Sequence, residues 1–349
     1  MLLRGEALDS FGIHRVIEPP GVLPQQAEKL DSAVPCRDNE LLIEVECLNI
    51  DSASFRQIAE ACDRDVQRIE AHILDLVRQR GKVHNRVTGS GGMLIGKVVQ
   101  VGASFPVADK PVQVGDRIAT LVSLSLTPIF LKRIKQIHLQ TDRIDVEGHA
   151  FLFPSGLFSI LPEDLPESLA LAVLDVAGAP AQTRRLVQPG ATVVVVGGGG
   201  KSGVLCLYEA KRKAGVTTIA VEYASSAVER LRALPFVDHV IQADARDAVT
   251  VMKKVAALTQ HKMADLVVNV ANISETEMSC VLSCKPNGVV YFFSMATSFT
   301  RAALGAEGVG ADVELHIGNG YTQGHADLAL NLLRESPELL ELFHRTYCQ

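Results

Sequence analysis

Four consecutive valines, Val193 to Val196, run into Gly197-Gly198-Gly199-Gly200-Lys201-Ser202-Gly203, and an apolar helical stretch from Val204 to Lys213 follows at once. A short run of branched apolar residues reads as a strand buried on both faces, as in a parallel sheet. Gly198, Gly200 and Gly203 spell GxGxxG. Their missing side chains permit a tight turn and the close approach of a pyrophosphate, toward which the helix start points free N–H groups and a partial positive charge. The next apolar run closes on Glu222, 22 positions after Gly200, where a carboxylate can accept hydrogen bonds from an adenosine ribose. A nicotinamide dinucleotide is therefore expected. Glu222 favours NAD, while Ser225, Ser226 and Arg230 leave room for NADP. Gly200-Lys201-Ser202 also imitates the end of a triphosphate-binding loop, but that loop needs glycine where Val195 stands.

Around this motif the chain changes texture. Before Pro162, Leu42 to Cys47 alternates apolar and acidic residues, and the short runs Met93 to Val101 and Arg117 to Ser123 are bounded by Gly91-Gly92, Gly102 and Val114-Gly115-Asp116, which predicts antiparallel strands. Phe55 to Arg80 interrupts them with apolar residues at helical spacing (Ile58, Cys62, Val66, Ile69, Ile73, Leu76 and Val77), predicting one inserted amphipathic helix within about 55–82. After Pro162, runs at Thr192, Thr217, His239, Asp265 and Val289 alternate with helical segments, the pattern of a doubly wound α/β domain. A domain over 165–311 is expected there. Residues 1–164 together with 312–349 are assigned to the β-rich domain.

A dinucleotide loop behind some 160 residues of β-rich chain resembles the layout of medium-chain dehydrogenases/reductases; Val114-Gly115-Asp116-Arg117-Ile118 resembles their barrel turn and Leu186-Val187-Gln188-Pro189-Gly190 their lead into the cofactor sheet. The resemblance implies a GroES-like barrel plus a Rossmann domain. Zinc-containing members carry a cysteine and a Gly-His-Glu where this chain has Asp51 and Gly91-Gly92-Met93. Without thiolate and imidazole the ligand set zinc prefers is gone, so no metal is expected. Asn49 to Phe55, Thr88 to Gly96, Leu121 to Pro128, Ala172 to Thr183, Tyr291 to Gly310 and Ile317 to Thr322 resemble the L-erythro-3,5-diaminohexanoate dehydrogenase family. That resemblance implies NAD(P)-dependent oxidative deamination of a diamino acid in lysine fermentation.

Such chemistry dictates what the site must contain. A carbon releases hydride readily when its amine is neutral, yet an alkyl ammonium has a pKa of about 10, so a general base is required. Asp51, placed by the resemblance beside the nicotinamide, is the first candidate; a turn-capping role is the alternative. His84, titrating near neutrality, could shuttle protons. Glu307 among small residues, and Asp175 in an apolar segment where a charge needs a partner, are further acids for base or ammonium. Ser52 and Ser54, just after the candidate base, are substrate-binding candidates, and Arg86 and Arg301 offer bidentate partners for the carboxylate. Gly198, Gly200, Lys201, Ser202 and Gly203 should hold the cofactor, with Glu222 at its ribose. Asn269, Asn272, Ser294 and Thr297, at strand ends, should reach its other end.

Composition narrows the alternatives. With 349 residues, 47% hydrophobic, the chain can bury two cores, and a net charge of −6 without a basic cluster argues against nucleic acid. Seven dispersed cysteines and no long apolar segment favour a cytoplasmic protein, not a membrane partner. The resemblance also implies a homodimer. The competing readings are a zinc-free quinone or enone reductase of the same fold and a non-catalytic NAD sensor.

Overall fold

The computed structural model describes residues 9–50, 52–85, 91–318 and 320–347, with the backbone alone at 52 and 53. The chain divides into two compact units, Met1–Glu163 and Asp164–Gln349.

In the first unit, β1 (Val16–Glu18) and β2 (Lys29–Leu30) form a small antiparallel pair. The remaining elements are β3 (Leu41–Asn49), α1 (Ser52–Ala61), α2 (Val66–Arg80), β4 (Met93–Val101), β5 (Arg117–Thr120), β6 (Ile129–His138), β7 (Arg143–Leu152) and β8 (Phe158–Ile160). These strands make one antiparallel sheet, ordered β6-β7-β3-β4-β5-β8. The alternation of β3 does what period two requires: Leu41, Ile43, Val45 and Cys47 are buried while Glu44 faces out. Where one inserted helix was expected, there are two. Asp63 and Arg64 take positive φ values of 53° and 57°, which ends α1, and the Asp65 carboxylate accepts the Arg68 N–H to start α2. The apolar spacing runs through the break because Cys62 and Ile69 are both buried in the same core.

A charged network ties the N-terminal segment to this sheet. Arg15, 1% exposed, donates through Nε and Nη2 to the Glu40 carboxylate at 2.7 and 2.6 Å, and its guanidinium lies over Phe151. His14 bridges Asp9 and Glu40 at 2.9 Å each.

The second unit opens with α3 (Glu167–Leu174) and α4 (Gly178–Leu186). The alternating series follows: β9 (Thr192–Val196), α5 (Lys201–Lys211), β10 (Thr217–Glu222), α6 (Ser225–Arg232), β11 (His239–Gln242), α7 (Ala248–Leu258), β12 (Ala264–Asn269), α8 (Glu277–Ser283), β13 (Cys284–Phe292), α9 (Phe299–Gly308) and β14 (Glu314–Ile317). Two helices, α10 (His325–Glu335) and α11 (Pro337–Tyr347), end the unit. All six strands are parallel, ordered β11-β10-β9-β12-β13-β14. The order reverses between β9 and β12, and the strand ends at that switch point open a crevice. Residues 312–349, expected with the β-rich domain, belong here instead. β14 pairs with β13 from Val289↔Glu314 to Phe292↔Ile317, satisfying backbone groups along that side of β13. Helices α10 and α11 bury Leu330, Leu332, Leu333, Leu339 and Phe343 while packing on α3, α4 and α5. No helix among the described residues is long and apolar enough to cross a membrane.

Candidate cofactor-binding site

The crevice at the switch point is a cavity of about 570 Å³ lined by Asp175, Val176, Gly200 to Gly203, Val270, Asn272, Phe293, Ser294, Met295 and Gly320. Its floor is the junction of β9 and α5. Gly197 turns the chain there with a φ of 86°, a left-handed conformation that a side chain resists. Gly203 lets helix and strand close together, since a Cβ on it would meet the Gly197 oxygen at 2.3 Å and the Gly198 carbonyl carbon at 2.7 Å. Gly200 differs. A Cβ there would meet only the Gly197 oxygen, at 3.8 Å, so this glycine leaves open the space on the cavity side rather than an internal contact. Gly200 is also the N-cap of α5 and offers no side-chain oxygen to its first turn, so free N–H groups and the positive end of the helix remain for an anion. Residues with this geometry fit a dinucleotide diphosphate.

Charge is arranged around that cradle. Lys201 Nζ donates to Asp175 Oδ2 at 2.8 Å, joining the first turn of α5 to the end of α3. Glu222 ends β10, and its Oε2 accepts the Gly199 N–H at 3.0 Å. Its Oε1 accepts from the Tyr223 N–H at 2.7 Å and the Ala224 N–H at 3.3 Å. These three bonds leave Oε2 with an acceptor site for a ribose hydroxyl.

Of the residues predicted from sequence, Gly200, Lys201, Ser202, Gly203, Asp175, Asn272 and Ser294 come together on this one cavity, with Gly198 in the turn behind and Glu222 at the loop. Asn269 and Thr297 do not reach the cavity lining. Asn269 is fully buried, donates to Thr276 Oγ1 at 2.9 Å and to Thr297 Oγ1 at 3.5 Å, and accepts the Ala271 N–H, so the pair braces two loops from within. Glu307 is also elsewhere, exposed in the last turn of α9, a solvated helix-end charge. Arg301, in the first turn of α9, lies 3.7 Å from the carboxylates of both Glu275 and Glu277. Only Nη1 takes part, and the guanidinium, 47% exposed, keeps its remaining donors.

In the first unit, His84 is half-buried after α2, and Ser54 is buried in α1 at 1% exposure. Asp51, Arg86 and the Ser52 side chain lie outside the described residues. Sequence reasoning missed the apolar lining, Val176, Val270, Phe293 and Met295, and also Gly320. Met295 is 72% exposed, an apolar side chain beside Ser294 whose position after a parallel strand was the available signal. Gly320 approaches α4 so closely that a Cβ on Gly178 would meet its oxygen at 2.3 Å, a constraint no spacing rule carries.

Comparison with known proteins agrees with this architecture. The family profile of the L-erythro-3,5-diaminohexanoate dehydrogenase N-terminal domain matches residues 14–162. The L-erythro-3,5-diaminohexanoate dehydrogenase of Acetoanaerobium sticklandii is 49% identical over 339 residues, covering 97% of this chain and 98% of the relative. That of Fusobacterium nucleatum is 48% identical over the same shares. Among solved structures, a mycobacterial quinone oxidoreductase superposes with a TM-score of 0.52 at 19% identity, covering 93% of this chain and 84% of the other, a likeness of fold.

Proposed function

The chain belongs to the L-erythro-3,5-diaminohexanoate dehydrogenase family, and from that premise we propose that it oxidatively deaminates L-erythro-3,5-diaminohexanoate to 5-amino-3-oxohexanoate and ammonia, a step of lysine fermentation. The observation that carries this reading is near-half identity across 97% of the chain.

Gly200 and the first turn of α5 bind the diphosphate, Lys201 adds a cation beside it, and Glu222 accepts from the adenosine ribose. The preferred cofactor is NAD, because a 2′-phosphate at that ribose would meet the Glu222 carboxylate. Nicotinamide, when bound, accepts the hydride from the carbon bearing the amine. Asp51 takes the proton of the C3 ammonium beforehand and afterwards activates the water that hydrolyses the imine, with His84 passing protons to solvent. No zinc takes part. The enzyme is a cytoplasmic homodimer, a compartment that suits the six described cysteines, all free thiols.

The test is to offer NAD+ and NADP+ with 3,5-diaminohexanoate, lysine, simple alcohols and quinones at mildly alkaline pH. Reduced nicotinamide and ammonia are followed together. Turnover of the diamino acid alone, with one ammonia per reduced cofactor, is expected. Quinone reduction would favour a reductase, and cofactor binding without turnover a sensor. Asp51→Asn should lower kcat by about a hundredfold or more, as loss of a general base does.

A further inference from the structure

We infer that the substrate's charged ends are recognised in the first unit, by Arg56 and Arg64 for the carboxylate and Asp142 for the C5 ammonium; this rests on the deamination reading. These three side chains line a cavity of about 250 Å³ between α1, the turn after it and the β6–β7 hairpin. Phe55, Ala59 and Leu139 complete its wall.

Among the described residues, no hydrogen bond or ion pair engages the side chain of Arg56, Arg64 or Asp142. Of the nearby acids, Asp63 pairs with Arg68, Asp65 caps α2 and Asp145 holds His138 and Arg143, while Glu60 on α1 pairs with neither arginine. The backbone is fixed at two of the three positions. Arg64 and Asp142 both have positive φ, 57° and 55°, with the Arg64 N–H bonded to the Ala59 oxygen at 2.7 Å and the Asp142 oxygen accepting the Ile50 N–H at 3.2 Å. Two guanidiniums on one small cavity repel each other until an anion joins them, and a planar carboxylate is the anion their forked donors fit.

A diamino acid carries that carboxylate and, four carbons along, an ammonium that Asp142 complements. Phe55 and Leu139 supply apolar surface for its carbon chain. Arg56 also follows the candidate base Asp51 by only five residues, with α1 opening between them at Ser52. The carboxylate and the reacting C3 amine are themselves only one methylene apart. Arg301, by contrast, faces two acids, Glu275 and Glu277, each 3.7 Å from its Nη1.

The experiment is steady-state kinetics of Arg56→Gln, Arg64→Gln, their double variant and Asp142→Asn, with melting temperatures to verify folding. Pentane-2,4-diamine, the substrate skeleton without its carboxylate, serves as competitor. Each arginine variant should raise KM for the diamino acid about tenfold with kcat nearly kept, while the inhibition constant of the diamine stays unchanged. Asp142→Asn should weaken both, and Arg56→Lys should recover part of the loss. An unchanged KM in the folded double variant overturns the inference while leaving the deamination reading intact, as does an equal weakening of the diamine by the arginine variants. Absence of turnover by the unaltered protein overturns both.

Discussion

Lys201 Nζ and Asp175 Oδ2 meet at 2.8 Å on the cavity that the glycine loop lines, so the one lysine of GxGxxG is already paired. Both side chains are partly exposed, 32% and 52%, and a pair of that kind adds little to stability. Its consequence is in binding. Asp175→Asn leaves the ammonium unopposed and should tighten NADH binding about threefold with a steeper salt dependence, whereas Lys201→Met should loosen it about tenfold. Fluorescence titration of NADH at two ionic strengths reads both. Weaker binding by Asp175→Asn would instead make the carboxylate a support that holds Lys201 in position.

Two glycines of the loop should fail in different ways. Gly203→Ala drives a Cβ against the Gly197 oxygen at 2.3 Å and should cost about 2 kcal/mol or more of stability, visible in the melting temperature. Gly200→Ala has space for its methyl and an ordinary φ of −83°, so the protein should fold as before. That methyl projects to the cavity side, and NADH affinity should fall about tenfold or more. Equal melting losses in the two variants would contradict the distinction.

Glu222 is expected to set the choice of cofactor. Removing its charge in Glu222→Gln keeps acceptors for the Gly199, Tyr223 and Ala224 N–H groups only in part and removes repulsion toward a 2′-phosphate. The ratio of kcat/KM for NAD+ over NADP+ should fall about tenfold or more. A ratio unchanged by the substitution would place discrimination elsewhere, with Ser225, Ser226 and Arg230 the next positions to alter.

The Arg15–Glu40 network predicts an acid-labile first unit. Burial alone would raise the Glu40 pKa, but hydrogen bonds from Arg15, His14 and the Arg37 amide bring it down from 4.5 to about 2. Because the folded value is the lower one, the stabilisation is present above 4.5 and drains away as pH falls toward 2. Glu40→Gln should therefore lower the melting temperature at neutral pH and flatten its fall between pH 4.5 and 2. Removing the charge strands buried Arg15, for which about 3 kcal/mol or more is expected. Parallel melting curves of the two proteins across that interval would sink the assignment.

Local pattern carried much of the architecture, and the reason is visible in particular residues. Alternation in β3 requires a one-sided sheet, the valines of β9 require one covered on both faces, and Gly197 to Gly203 can do little but turn and open a helix. These are properties of short stretches, so sequence suffices for them. The break at Asp63 and Arg64 was hidden because the apolar spacing continues through it into a shared core.

What depended on distant partners was decided only in three dimensions. The tail from 312 onward carries amphipathic helices that could cover either domain; the free side of β13 and the faces of α3, α4 and α5 received it. Asp175 was legible as a charge in need of a partner, but that Lys201 would supply it required α3 and α5 to meet. Asn269 and Thr297 stand at strand ends as cofactor ligands do, yet the interior claimed them. Sequence determines which residues can form a strand, a turn or an anion cradle because those depend on neighbours along the chain. Which charges are neutralised inside the protein and which are left for a ligand is set by packing, since only the folded chain brings an Arg56, an Arg64 and an Asp142 around one cavity.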